Sequence, residues 1–190
     1  MGVRIPITIV EIDQDICENT FGVAPCTASG EPCYNTLATC KDKPNYARAA
    51  TPLTLRFSMA DRSDAFDQYV IPNVTGVTTS PTRINVGGRR GSEKPLGIRA
   101  SASVTFTDHP HTDLVVDPYV DQRAFDPLER GTFWSKWLRR NPYHVNRAMR
   151  VRTGQVGSTE YETRHYVIES ISGPDSNGRV SLKALDILRL

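Results

Sequence analysis

The stretch Leu53-Thr54-Leu55-Arg56-Phe57-Ser58-Met59 sets an apolar side chain at every odd position and a polar one between them. Successive side chains of a strand point to opposite faces, so this period of two predicts a half-buried β-strand. The pattern returns over residues 98–106 (IRASASVTF), where Ile98, Ala100, Ala102, Val104 and Phe106 share one face. Upstream, residues 4–13 (RIPITIVEID) hold β-branched residues in partial alternation. Downstream, residues 165–172 and 179–188 flank Gly173-Pro174-Asp175-Ser176-Asn177-Gly178. Those turn formers predict a β-hairpin with a longer loop. Residues 70–86 are rich in Val, Thr and Ile, but Pro72 and Pro81 interrupt them, which predicts two short strands. Gly87-Gly88-Arg89-Arg90-Gly91 then reads as a turn or basic loop.

One helix is predicted. Thr132 stands where an N-cap belongs, and Phe133, Trp134, Trp137 and Leu138 recur at helical spacing to give one aromatic face. Arg139 and Arg140 follow, where the helix dipole favours cations, and Asn141-Pro142 stops the helix. An aromatic face of this kind is expected in the core. The expected fold is mainly β with minor α, with a cysteine-rich insertion near its N-terminus.

The four cysteines of the chain, Cys17, Cys26, Cys33 and Cys40, all fall in that insertion, with the spacing C-x8-C-x6-C-x6-C. Gly22, Pro25, Gly30 and Pro32 lie among them, and large apolar residues are scarce. Structureless loops beyond about 12–15 residues are uncommon unless something ties them down. Four thiolates converging on a metal centre replace the missing local core. The N-terminal apolar run, residues 5–10, is too short for a signal-peptide core and is broken by Pro6 and Thr8. Pro6 also stands where a myristoylation signal needs Ser or Thr. No segment approaches the ~20 apolar residues of a membrane span. A reducing compartment is therefore expected, where clustered cysteines bind metal more often than they pair. Zinc sites favour short C-x2–4-C knuckles, absent here, whereas the ligand spacings of iron–sulfur clusters vary more. An iron–sulfur cluster is the expected occupant, with zinc on one side and disulfides or free thiols on the other as equal alternatives. Lys41, Lys43 and Arg48 follow closely and read as solvated loop charges.

At 190 residues the chain can bury one full core, which predicts a single domain over 1–190 with residues 14–50 as the insertion. Lys and Arg number 23 against 21 Asp and Glu, a net charge of +2 that argues against a general nucleic-acid binder. A hydrophobic content of 38% suits a subunit whose remaining contacts come from neighbours, and equally a loop-rich monomer. Enzyme chemistry finds little support. His109-Pro110-His111-Thr112-Asp113 offers two potential metal ligands on a rigid turn without an obvious third, and otherwise reads as the turn ending the strand at Phe106. No nucleophile elbow, H-E-x-x-H helix, Walker loop or dinucleotide fingerprint occurs, so no catalytic residue is assigned.

Cys33-Tyr34-Asn35-Thr36-Leu37-Ala38-Thr39-Cys40-Lys41-Asp42 followed by the 53–57 strand resembles the tail-tip proteins of long-tailed bacteriophages. The resemblance extends to residues 108–113, to Asp117-Pro118-Tyr119, to Gly131-Thr132-Phe133-Trp134 and to Arg140-Asn141-Pro142-Tyr143, and so spans nearly the whole chain. The family is that of the siphophage baseplate hubs, including the lambdoid minor tail protein L and the hub of gene transfer agents. It implies a hub-type β-barrel domain in which Cys17, Cys26, Cys33 and Cys40 ligate a [4Fe-4S] cluster. It also implies a non-enzymatic homotrimer that closes the tail tube in the virion tail tip, assembled in the host cytoplasm. Its expected partners are a distal tail protein, a central fibre or receptor-binding tail protein, and the tape measure protein. Family hubs are longer, so the chain reads either as a short hub or as one part of a larger one. The competing expectation is a small iron–sulfur or zinc-binding enzyme, and a blander one is a scaffold with a structural zinc.

Overall fold

The alternating segments pair into one closed sheet. A computed structural model describes residues 5–60, 68–81, 83–84 and 97–187. In chain order the strands are β1 (Pro6–Gln14), β2 (Leu53–Met59), β3 (Ile71–Ser80), β4 (Arg83–Ile84), β5 (Gly97–Ile98), β6 (Ser101–Thr107), β7 (Ala148–Gln155), β8 (Glu162–Ser172) and β9 (Arg179–Asp186). The single helix, α1, spans Phe133–Arg140. Seven strands close a barrel in the order β1-β2-β3-β6-β9-β8-β7, and β4 and β5 form a separate two-stranded ribbon. All barrel neighbours run antiparallel except β2 and β3, which are parallel.

The fold is thus mainly β with minor α. The inward residues of the alternating strands form the core: Val10 and Ile12 from β1, Leu55 and Phe57 from β2, Val104 and Phe106 from β6, and Met149 and Val151 from β7. Helix α1 adds Phe133, Trp134 and Trp137 to the same cluster, all buried as expected. Phe57 stacks on Trp134 with ring centroids 5.5 Å apart, and Phe106 lies 4.7 Å from the same ring.

Several expectations need correction. The region over 70–86 divides only at Pro81, because β3 runs through Pro72. Pro72 is exposed at the start of the strand, where the β2–β3 register slips between Phe57 and Met59, so its missing N–H costs no regular ladder bond. The segment 98–106 splits at residues 99–100: β5 belongs to the ribbon, and the barrel strand begins at Ser101. The Gly87–Gly91 loop lies outside the described residues. Thr132 occupies the N-cap position but makes no side-chain cap bond. Asp108 caps instead, its carboxylate accepting the Trp134 N–H at 2.8 Å and the Thr132 hydroxyl. The predicted hairpin is β8–β9, and its turn is held by the Asp175 carboxylate, which accepts the N–H groups of Asn177 and Arg179, each at 2.9 Å.

Strand β7 carries an alternation of its own, Met149 and Val151 inward against Arg150 and Arg152 outward. Its charges have a structural purpose. Register places Glu11 of β1 opposite both Arg56 of β2 and Arg150 of β7. Glu11 accepts from Arg150 at 2.8 Å and from Arg152 at 3.0 Å, while Arg150 grips Asp13 at 2.6 and 2.8 Å. The ions on the outer face therefore stitch three neighbouring strands together. Among the described residues, no helix is long and apolar enough to cross a membrane.

Candidate cysteine site

The segment between β1 and β2 contains all four cysteines and only two short 3-10 turns, Leu37–Thr39 and Lys43–Asn45. Backbone pairing closes its neck. Cys17 bridges Arg48 in antiparallel fashion, the Glu18 N–H donates to Ala47 O, and the Ala49 N–H donates to Ile16 O, both at 2.9 Å. Inside that neck the chain is cross-braced. The Cys17 N–H donates to Asn35 O at 2.9 Å, and the Asn35 side-chain amide returns a bond to Cys17 O at 3.1 Å. Asn35 adopts φ 58, a left-handed conformation that Asn tolerates better than most residues. The Asp42 carboxylate accepts from the backbone N–H of Thr27 at 2.6 Å and from its hydroxyl at 3.0 Å. That tie joins the segment after Cys26 to the segment after Cys40.

The four thiols lie within this braced loop. All four are partly buried, and none is in a disulfide. Burial pushes the Cys33 thiol up, a hydrogen bond with the Asn35 backbone opposes this, and the thiols of Cys40, Cys17 and Cys26 are each near enough to push it further up. The structure places the four cysteines in one braced loop. Among the described residues, no three His, Cys, Asp or Glu side chains group as ligands of a single metal ion. Four thiols are a donor set that either a zinc ion or an iron–sulfur cluster takes.

The loop also has a seat. Arg123, with its side chain only 2% exposed, donates to the backbone carbonyls of Pro32 and Cys33, the latter at 2.9 Å. Its guanidinium is held bidentately by Asp117 at 2.8 and 3.0 Å. Tyr34 lies between two guanidiniums, with Arg123 4.1 Å and Arg140 3.8 Å from its ring centroid. The Thr36 hydroxyl donates to Arg140 O at 2.7 Å, and the Phe21 N–H donates to the Tyr119 hydroxyl at 2.8 Å. Arg140 and Lys136 are fixed in turn by buried Asp113, at 2.8 and 2.7 Å.

The nearby cations singled out in the sequence have other tasks. Arg48 pairs with Asp15 at 2.7 Å, and Lys41 donates to the Glu31 carbonyl. Arg123 and Arg140 form the seat, and sequence reasoning missed both, because they stand 90 and 104 positions beyond the loop residues they bind. His111 is buried with both ring nitrogens engaged: Nδ1 accepts the Asp113 N–H, and Nε2 meets the Tyr69 hydroxyl, both at 2.9 Å. That arrangement makes His111 part of the turn after β6. Comparisons with protein-family models, with curated proteins and with solved structures found no match.

Proposed function

We propose that this chain is a structural subunit of a phage tail tip, a baseplate hub in which Cys17, Cys26, Cys33 and Cys40 hold a [4Fe-4S] cluster. The observation that supports the cofactor is that all four cysteines of the chain lie unpaired and partly buried in one loop that is poor in large apolar residues. A bound cluster would supply a covalent cross-link among four points of the loop. The residues of the chain do the rest. Arg123 fixes the Cys33 backbone and, with Arg140, places two positive charges beside the Tyr34 ring next to that cysteine, where they would offset the negative charge of four thiolates. The role is structural, and the chain is not assigned a reaction.

Assembly follows from the resemblance described above: a homotrimer at the end of the tail tube, contacting a distal tail protein, a central fibre protein and the tape measure protein. Iron and acid-labile sulfide analysis of anaerobically purified protein tests the cofactor, with about four of each per chain expected. Stoichiometric zinc without iron overturns it. A reconstruction of the particle tests the assembly, and the absence of a threefold ring of this chain at the tail tip overturns that part.

A further inference from the structure

Between the cysteine loop and the last turn of α1 lies a cavity of about 380 Å3 whose walls include Arg130, Lys136, Arg139 and Arg140 beside Tyr34 and Phe125. No carboxylate lines it. Among the described residues, the acid bonded to these cations is Asp113, shared between Lys136 and Arg140, so four cations face one carboxylate. Elsewhere in the chain, Arg48, Arg123, Arg150 and Arg164 each meet a carboxylate.

Not all four cations are available to a ligand. Lys136 spends its donors on Asp113, His111 O and Pro127 O. The arginines differ. Arg140 uses Nη2 on Asp113 and rests its guanidinium on Tyr34. Arg130 rests on Phe125, 4.5 Å from the ring centroid, and is exposed. Arg139 is exposed and has no hydrogen bond or ion pair to a described residue. Stacking on an aromatic face fixes a guanidinium plane while leaving its N–H edge free, which lowers the entropy lost when an anion binds. Three forks so placed, with the shared Asp113 carboxylate as their one counter-charge among the described residues, suit a compact group with several acceptor oxygens. The aromatic rings are already occupied. Arginines cover Tyr34 on the Arg123 and Arg140 sides, and Arg130 covers Phe125. A nucleobase would find little ring face to stack on, so the ligand is read by charge.

We propose that this cleft is an oxyanion site that binds a phosphate group, either as the free ion or as a terminal phosphomonoester, through Arg130, Arg139 and the uncommitted N–H edge of Arg140. The proposal stands independently of the cluster. Its test is isothermal titration of the full chain with inorganic phosphate, against chloride at equal ionic strength, with a sugar phosphate as a second arm. Saturable phosphate binding is expected, weakened roughly tenfold by Arg130→Gln or by Arg139→Gln, the loss of one charge-assisted pair. Both side chains are exposed and outside the core, so the melting temperature without phosphate should stay unchanged. A sugar phosphate that binds at least as tightly identifies the phosphomonoester as the natural form, and weaker binding identifies the free ion. Binding that chloride reproduces, that does not saturate, or that survives both substitutions together overturns the proposal.

Discussion

Asp113→Asn is the substitution that reaches furthest into this molecule. The carboxylate is 2% exposed and joins Lys136 at 2.7 Å to Arg140 at 2.8 Å, two cations that are themselves buried. Burial by itself would raise its pKa, but the contacts of His111, Lys136 and Arg140 outweigh that and hold it down at about 2, against an ordinary 3.8. The folded value lies below the unfolded one, so the ionised form stabilises the fold. That contribution is complete above the ordinary value and disappears as pH falls through about 4 towards about 2, and it amounts to about 2 kcal/mol. Asn mimics the protonated acid, so Asp113→Asn should cost at least that contribution at neutral pH, with Lys136 and Arg140 left buried and without a counter-ion. A broken buried pair costs about 3–5 kcal/mol, equivalent to a melting temperature lowered on the order of 10 °C for a chain of this length. Urea unfolding of both proteins across a pH series measures each quantity. Asp113→Asn should also flatten the acid slope of stability between about pH 4 and pH 2. Adding Lys136→Met should recover part of the loss, since it removes one stranded charge. A cost below about 1 kcal/mol, or an unchanged acid slope, would refute the reasoning.

Three other outcomes are expected. Cys33→Ser should lose most of the bound iron and lower the assembly of infectious tails; normal assembly with full occupancy and unchanged thermal stability would replace the structural role by one later in infection. Arg123→Lys keeps the charge but loses the fork that spans Asp117 and the carbonyls of Pro32 and Cys33. Limited proteolysis should then cut residues 15–50 faster while the barrel stays intact, and a cleavage rate equal to that of the parent would dismiss Arg123 as the seat. Gly173→Ala places a Cβ 2.5 Å from Arg179 O at φ +107, a conformation that only Gly adopts freely. It should destabilise the β8–β9 hairpin by about 1–3 kcal/mol, measured by thermal unfolding.

What the sequence determined by itself was local. The period of two at Leu53–Met59 and before Phe106 marked β2 and β6, because alternation follows directly from strand geometry. The span of α1 was legible from its aromatic spacing and the Asn141-Pro142 stop, and the β8–β9 hairpin from its Gly, Pro and Asp residues. The cysteine loop stood out because a stretch so poor in apolar residues needs some other tie. The Met149/Val151 alternation of β7 was present as well, but Arg150 and Arg152 of that strand find their partners, Glu11 and Asp13, only in the closed barrel. Tertiary structure alone decided the rest. It set the strand order of the barrel, the parallel β2–β3 pairing that carries β3 through Pro72, and the cap that Asp108 provides in place of Thr132. It also brought Arg123 and Arg140 to the cysteine loop. The physical reason is that propensity and periodicity act over a few neighbouring residues, whereas an ion pair or a backbone clamp has no period, and its two ends meet only once the chain between them has closed.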